Sequence, residues 1–367
     1  MPTPLTSRER VNRMMEHRDH DRIPRHESFW PETLTRWESE GLKGGEQAVL
    51  NLLRSDFAGL TWCWPKPFRG LDQIVSEDEE TKIVRDGHGR LARFWKHKSG
   101  TPEHLGFECD TPEIWETKFK PALLENWLQL HAWPPYFDEA VIKERFKAAQ
   151  AAGKWTYLAG VEPFEQTRCL MGDEITLIAM AEEPEWVADV AATTTDVVLR
   201  NFEATLSAGI QPDGLWIYGD MAFKSATMCS PAMYRELIWP QHKRLADWAH
   251  AHGMKFIYHT DGDVRGVMDL YIEAGFDCLQ PLETKASMDI RELCPRYGDK
   301  LSFFGNIDVM KMITNDLGII EEEIVSKFAA GKAGRNYCYH SDHSVPPQVS
   351  WKTYQEIIRM VDRHGNY

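Results

Sequence analysis

Nowhere does the sequence carry an apolar run approaching the roughly 20 residues needed to cross a bilayer, so a membrane-spanning protein is not expected. It contains no Cys-x-x-Cys. Its seven cysteines (Cys63, Cys109, Cys169, Cys229, Cys278, Cys294 and Cys338) are odd in number and far apart, which argues against a disulfide framework or a structural zinc knot. No Gly-x-Gly-x-x-Gly follows any candidate strand, which weighs against a dinucleotide-binding fold. Basic residues are the minority charge: 42 Lys and Arg stand against 56 Asp and Glu, for a net charge of −14. Nonspecific binding to nucleic acid or to an anionic membrane is disfavoured by that balance. The opening Met1–Pro4 lacks the basic-then-apolar pattern of a signal peptide. A soluble, cytoplasmic protein with reduced thiols is the expectation.

What is present points to an α/β enzyme. Hydrophobic residues make up 43% of 367 positions, enough for one large core spanning residues 1–367 as a single domain. In the C-terminal half, strands and helices alternate. Candidate strands run over 214–220, 255–261, 277–283, 301–308 and 336–341. Between them lie helices with recognisable ends: Ser230 and Pro231 open one, Gly253, Gly275 and Gly298 close others, and Ser350 caps the last. A kink or break is expected at Pro240. Ile319, Ile320, Ile324, Val325 and Phe328 form a 3–4 spaced apolar stripe on the helix before the final strand. Strands joined by helical crossovers demand a parallel sheet. Three further candidates upstream, 23–30, 56–64 and 156–162, bring the count to eight and predict a closed (β/α)8 (TIM) barrel. Residues 73–98 break the rhythm. There, Ile83-Val84 and 91–95 flank Asp86-Gly87-His88-Gly89, predicting a β-hairpin insertion over one barrel mouth.

In a parallel barrel, the chemistry collects at the carboxyl ends of the strands. The polar residues expected there are His26, Glu27, Asp56, Glu162, Glu165, Asp220, Lys224, His259, Asp261, Asp263, Glu283, Asn306, Asp308, His340, Asp342 and His343. Asp263 and Asp308 precede helices and read as caps. Strand alternation places His259 and Asp261 on one side, as a His-x-Asp chelate requires. Tyr339-His340-Ser341-Asp342 repeats the pattern, with His343 next to it. Two readings of these residues stand side by side: ligands of Zn²⁺ or Fe²⁺ with open coordination positions, or side chains that hydrogen-bond one another around a polar pocket.

The chain resembles the uroporphyrinogen decarboxylase superfamily, which includes true decarboxylases and the methyltransferases of corrinoid-dependent methyl transfer. The resemblance is carried by the order and spacing of Ser7–Val11, Asp21–Pro24, Ser230–Glu236, His252–Gly262, Glu273–Asp277, Gly305–Asp308 and His343–Pro347. It implies the barrel fold. True decarboxylases of the family carry an arginine-rich segment after the first strand. Here that place reads Arg25-His-Glu-Ser-Phe-Trp30, so decarboxylation of uroporphyrinogen is not expected. The methyltransferase branch binds zinc through a His-x-Cys pair and a later cysteine. The matching positions here are His259, Asp261 and His343, which the resemblance makes the expected metal ligands. The implied function is transfer of a methyl group from a small methylated substrate to a corrinoid or tetrahydrofolate acceptor, with a divalent metal, zinc first, and with Glu283 and Asp220 as acid/base groups or further ligands. Possible partners are a corrinoid protein and further copies of the chain. Two other readings stand beside it. One is a cofactor-free decarboxylase of a tetrapyrrole or another aromatic acid, in which Asp56, resembling the family's functional aspartate, holds the ring and His343 donates a proton. The other is a non-catalytic subunit that binds a corrinoid protein.

Overall fold

The local signals read from the sequence become the framework of the protein, whose computed structural model describes residues 5–97, 100–128, 130–131 and 138–367. Met1–Pro4 and Lys98 lie outside the described residues. Seven strands form one parallel sheet: β1 (Phe57–Cys63), β7 (Trp155–Val161), β8 (Gly214–Tyr218), β9 (Lys255–Thr260), β10 (Cys278–Pro281), β11 (Ser302–Phe304) and β12 (Tyr337–Cys338). Neighbours in sequence are neighbours in space, from β12 back through β7 to β1. An eighth strand, β6 (Leu130–His131), lies antiparallel to β1 at that edge.

The sheet is strongly curled. Five inter-strand steps separate β1 from β11, which would span about 24 Å in a flat sheet, yet the Phe57 and Phe304 rings lie 5.0 Å apart. Each parallel strand contributes one residue to a single inner cluster: Phe57, Trp155, Trp216, Ile257, Cys278, Phe304 and Cys338. Val11, Met14 and Met15 of the helix Ser7–Met15 complete it. This helix covers the amino ends of the strands. Trp155 and Ser302, the first residues of β7 and β11, donate hydrogen bonds to the Asn12 side chain and the Met14 carbonyl. The carboxyl ends face the opposite way.

Residues 23–30 do not form the expected strand. They make isolated parallel bridges at Arg25–Tyr339 and Phe29–Val345. Arg25 also accepts a hydrogen bond from Asp56 N, on the β1 side. A continuous ladder is broken because the Glu27 carboxylate accepts the Ser341 N–H, and Pro24 has no N–H to give.

The expected hairpin is present as β3 (Thr81–Arg85) and β4 (Arg90–Trp95), but it is the centre of a larger element. β2 (Gln73–Glu77) and β5 (Glu103–Phe107) flank it in a separate four-stranded antiparallel sheet. Among the helices, Pro231–Met233 begins at the Ser230 cap as expected. A π-helical turn, Tyr234–Ile238, accommodates the break before Pro240. Of the predicted stripe, Ile320, Ile324 and Phe328 are buried, whereas Ile319 and Val325 face solvent. No helix among the described residues is long and apolar enough to cross a membrane.

Candidate functional site

Asp261 follows β9 directly and is the hub of a polar cluster at the strand carboxyl ends. Its Oδ2 lies 3.8 Å from Nε2 of His343, in the loop after β12. Its backbone N–H donates to Asp220 Oδ1 (3.1 Å), after β8. Asp220 Oδ1 is in turn 3.8 Å from His259 Nε2. Glu283, after β10, accepts from Gly262 N (2.9 Å) and pairs with Lys285 (2.7 Å). The Gly262 contact needs glycine: φ is +83°, and a Cβ would fall 2.4 Å from the Ala222 carbonyl oxygen.

Side-chain donor atoms converge here in two groups that share Asp261. Asp220, His259 and Asp261 form one; Asp261, Glu283 and His343 form the other; within each, the atoms lie within 4.8 Å of one another. The expected set of His259, Asp261 and His343 is therefore divided, each histidine joining Asp261 with a different carboxylate. His259 is oriented by Gln280, whose side-chain oxygen meets its Nδ1, and packs against the Tyr218 ring at 4.9 Å. Trp30 stacks on His343 with ring centroids 5.5 Å apart.

Electrostatics in the cluster is unbalanced toward negative charge. Burial, with the Asp220 and Glu283 carboxylates close by, pushes the Asp261 carboxyl up to about 7 against the pull of His259. Asp261 Oδ1 is buried without a hydrogen-bond partner among the described residues. His343 is held below the usual imidazole range by burial and by Lys285. Glu165, on the helix Pro163–Met171, lies alongside: its Oε2 pairs with Arg168 (2.9 Å) and is 3.5 Å from Asp220 N. Burial, with Asp220 and Glu162 nearby, raises its carboxyl to about 7 despite Arg168.

Other expected residues are placed elsewhere. Asp56 precedes β1, so it lies at the amino ends, opposite the cluster. Buried there, it accepts from Arg10 (2.7 Å), Arg22 (2.8 Å) and the Arg25 N–H (2.9 Å). The expected place of Asp56 at the strand carboxyl ends is corrected on that ground: the residue before a strand sits at its amino end. His340 is buried and turned toward Ser28 and Glu27, so His343, not His340, reaches Asp261. His26 meets Ser55 through Nδ1. Glu162 caps the helix Pro163–Met171 and accepts from or pairs with His242 (2.9 Å), which meets the Tyr234 hydroxyl. Asp263 accepts from Arg265 N, and Asp308 caps Val309–Met312. Asp342 anchors Thr284 and Val309 N–H groups, Asn306 accepts from Ile290 N, and Lys224 is exposed.

Gln280 and Lys285 were not among the expected residues. Parallel register could have found Gln280, which pairs directly with His259 across β9 and β10. Lys285 stands two residues beyond Glu283, in a turn without periodic signal.

A sequence profile of the family described as uroporphyrinogen decarboxylase (URO-D) matches residues 161–364. No curated protein matches the chain in sequence. Among solved structures, a methyltransferase from Methanosarcina mazei is similar with a TM-score of 0.65 at 14% identity, covering 98% of this chain and 99% of its own. That likeness is one of fold. An intracellular xylanase from Thermoanaerobacterium saccharolyticum is far less similar: its TM-score is 0.35 at 11% identity, over 66% of this chain and 86% of its own.

Proposed function

The chain belongs to the uroporphyrinogen decarboxylase family, and from that premise we propose that it is a metal-dependent methyltransferase, moving a methyl group from a small methylated substrate to a corrinoid or folate acceptor. The sheet is read as a barrel closed by residues 23–30, which contact both the β12 side and the β1 side.

The observation that carries this reading is the pair of donor groups sharing Asp261. Three carboxylates gathered within reach of two histidines repel one another unless a cation or a proton intervenes. The buried, unpartnered Asp261 Oδ1 fits that demand. Asp261, His259, His343 and Glu283 would hold a divalent ion, with zinc the leading candidate and Asp220 a further ligand. When bound, such an ion supplies Lewis-acid activation of the heteroatom that carries the methyl group. As the methyl leaves, the bonding pair stays on that heteroatom, which then takes a proton. Glu165, held protonated to near neutrality beside Asp220, is placed to give it.

The alternative, decarboxylation of a tetrapyrrole or another aromatic acid, has less support. Asp56 is committed to Arg10 and Arg22, and Arg25 is buried against Asp362. Neither Asp56 nor Arg25 faces the cluster, and Arg168, which lies beside it, is paired with Glu165 and Asp173.

The test is to strip purified protein with chelator and assay methyl transfer from methylated amines, thiols and ethers to cob(I)alamin or tetrahydrofolate. Zn²⁺, Fe²⁺, Co²⁺ and Mn²⁺ are then restored singly. Activity lost on stripping and recovered with one ion is expected. Full activity in protein shown to be metal-free, or no transfer from any donor, would overturn the reading.

A further inference from the structure

Midway along β1 the wall of the curled sheet is open. Strands of a parallel sheet are buried on both faces, yet Gly59 is exposed and Ala58 half-buried. The cause is the seam left by residues 23–30. The Asp56 N–H reaches the Arg25 carbonyl just before β1, but among the described residues no backbone bond joins Phe57–Thr61 to that segment. Beside the seam, the helices Gly45–Leu53 and Glu139–Ala151 flank a cavity of about 730 Å³. It touches both faces of β1: Leu60 belongs to the helix-side core, and Phe57 to the inner cluster. Gly59 pairs in register with Tyr157, and a Cβ on it would lie 3.0 Å from the Tyr157 hydroxyl. A glycine within a strand thus keeps the backbone open to approach.

The charge of this cavity runs against that of the chain. With a net charge of −14 overall, the protein lines it with two cations, Lys154 and Arg145, against one carboxylate, Glu46. The His26 ring, also in the wall, is held to about 3 by burial and is neutral. Lys154 has no ion pair among the described residues. Its ammonium donates to the Ser55 carbonyl, which leaves two N–H donors. Asp56 attracts it but is already bonded to Arg10 and Arg22. Burial, with those two arginines nearby, holds the ammonium below the usual lysine range. Lys154, His26 and Tyr157 are each partly exposed, so the cavity reaches them. Leu50, Leu60 and Phe57 supply apolar surface along it.

We propose that this cavity is a second small-molecule site, which takes an oxyanion, carboxylate or phosphate, carried on an apolar body. The oxyanion sits on Lys154, where a charge-assisted bond supplies the counter-charge the protein withholds. The body lies along Phe57, Leu60 and Leu50. The volume is within the range of about 300–1,000 Å³ of small-molecule pockets. None of Asp220, His259, Asp261, Glu283 and His343 lines it, so the site is separate from the acidic cluster and does not rest on the methyl-transfer reading.

The experiment is calorimetric titration of the metal-stripped full chain with 4-phenylbutyrate, 4-phenylbutyl phosphate and 4-phenylbutanol. Without metal, the carboxylates of the acidic cluster repel both anions. At least one anion should bind one-to-one and about tenfold tighter than the alcohol, equivalent to about 1.4 kcal/mol; the tighter of the two names the oxyanion. Lys154→Met should lower that anion to the affinity of the alcohol, and Lys154→Arg should keep the preference. Ala148 is exposed and lines the cavity, so Ala148→Trp should block all three probes with an unchanged thermal midpoint. No binding of any probe, or equal affinity of wild type for anions and alcohol, overturns the proposal. So does an anion preference that survives Lys154→Met, or binding that survives Ala148→Trp, since either puts the probe elsewhere.

Discussion

Asp261 Oδ2 stands 3.8 Å from His343 Nε2, joining the end of β9 to the loop beyond β12 across the mouth of the curled sheet. With Asp220 and Glu283 close by, the same aspartate belongs to both donor groups. Asp261→Asn therefore removes a charged donor from each. Bound metal, measured by elemental analysis after equilibrium dialysis, should weaken by more than about 100-fold, beyond the 10–100-fold typical of residues that only support a ligand. A hydrogen-bonded polar cluster predicts otherwise: asparagine would keep one acceptor, and metal content would not depend on the substitution.

The two neighbouring histidines should separate cleanly. His343 is partly exposed and touches Asp261, so His343→Ala should lower metal affinity with little change in thermal midpoint. His340 is buried, with Ser28 and the Ser341 carbonyl at its ring nitrogens. His340→Ala should cost about 2–3 kcal/mol of stability, as loss of a packed ring and exposure of its partners, and leave metal content intact. The reverse pattern in dialysis and urea unfolding would place the ligand three residues upstream.

Glu27 predicts a pH dependence of stability. Burial, opposed by hydrogen bonds from Ser341 and the Ser28 N–H, raises its carboxyl from an ordinary 4.5 to about 8. The folded state thus holds a proton that the unfolded chain releases. The stabilisation is complete below about 4.5 and is lost as pH rises toward 8, at up to about 1.4 kcal/mol per unit from this group. Glu27→Gln should flatten that slope in urea titrations between pH 5 and 8. An unchanged slope would show that Glu27 is ionised in the folded protein.

Much of this arrangement was legible in the sequence, and the failures have physical causes. β1 and β8 to β12 fall within the expected segments, and β7 starts one residue before its own, because buried parallel strands are short apolar runs bounded by helix caps and glycines. His259, Asp261, Asp220 and Glu283 were placed by strand ends alone. Residues 23–30 misled because their alternation is that of a strand, while the Glu27 side chain takes the bond a ladder would use. β2 was invisible: Gln73–Glu77 is exposed throughout and has no buried face to give it a period. The choice between His340 and His343 could not be made from a repeated Tyr-His-(Thr/Ser)-Asp pattern, since β12 ends at Cys338 and alternation stops there.

Asp56 marks where reading by position failed, and it gives the last prediction. Fully buried before β1, it gathers Arg10, Arg22 and the Arg25 N–H at the closed end of the sheet. Arg10 has a second carboxylate in Asp21, at 2.6 Å. Among the described residues, the Arg22 guanidinium bonds besides only to the Ile23 and Arg54 carbonyl oxygens. Asp56→Asn would take from the buried Arg22 guanidinium the carboxylate it is bonded to, leaving only the charge of Asp21 nearby, a change that costs about 3–5 kcal/mol when one partner of a buried pair is removed. Urea unfolding should record a loss of that order, with metal affinity unchanged once the comparison is made on folded protein. A residue that held substrate beside Asp261 would behave in the opposite way, since neutralising it would disturb ligand binding far more than the fold. Stability within about 0.5 kcal/mol of wild type, accompanied by altered metal or substrate binding, would return Asp56 to the site.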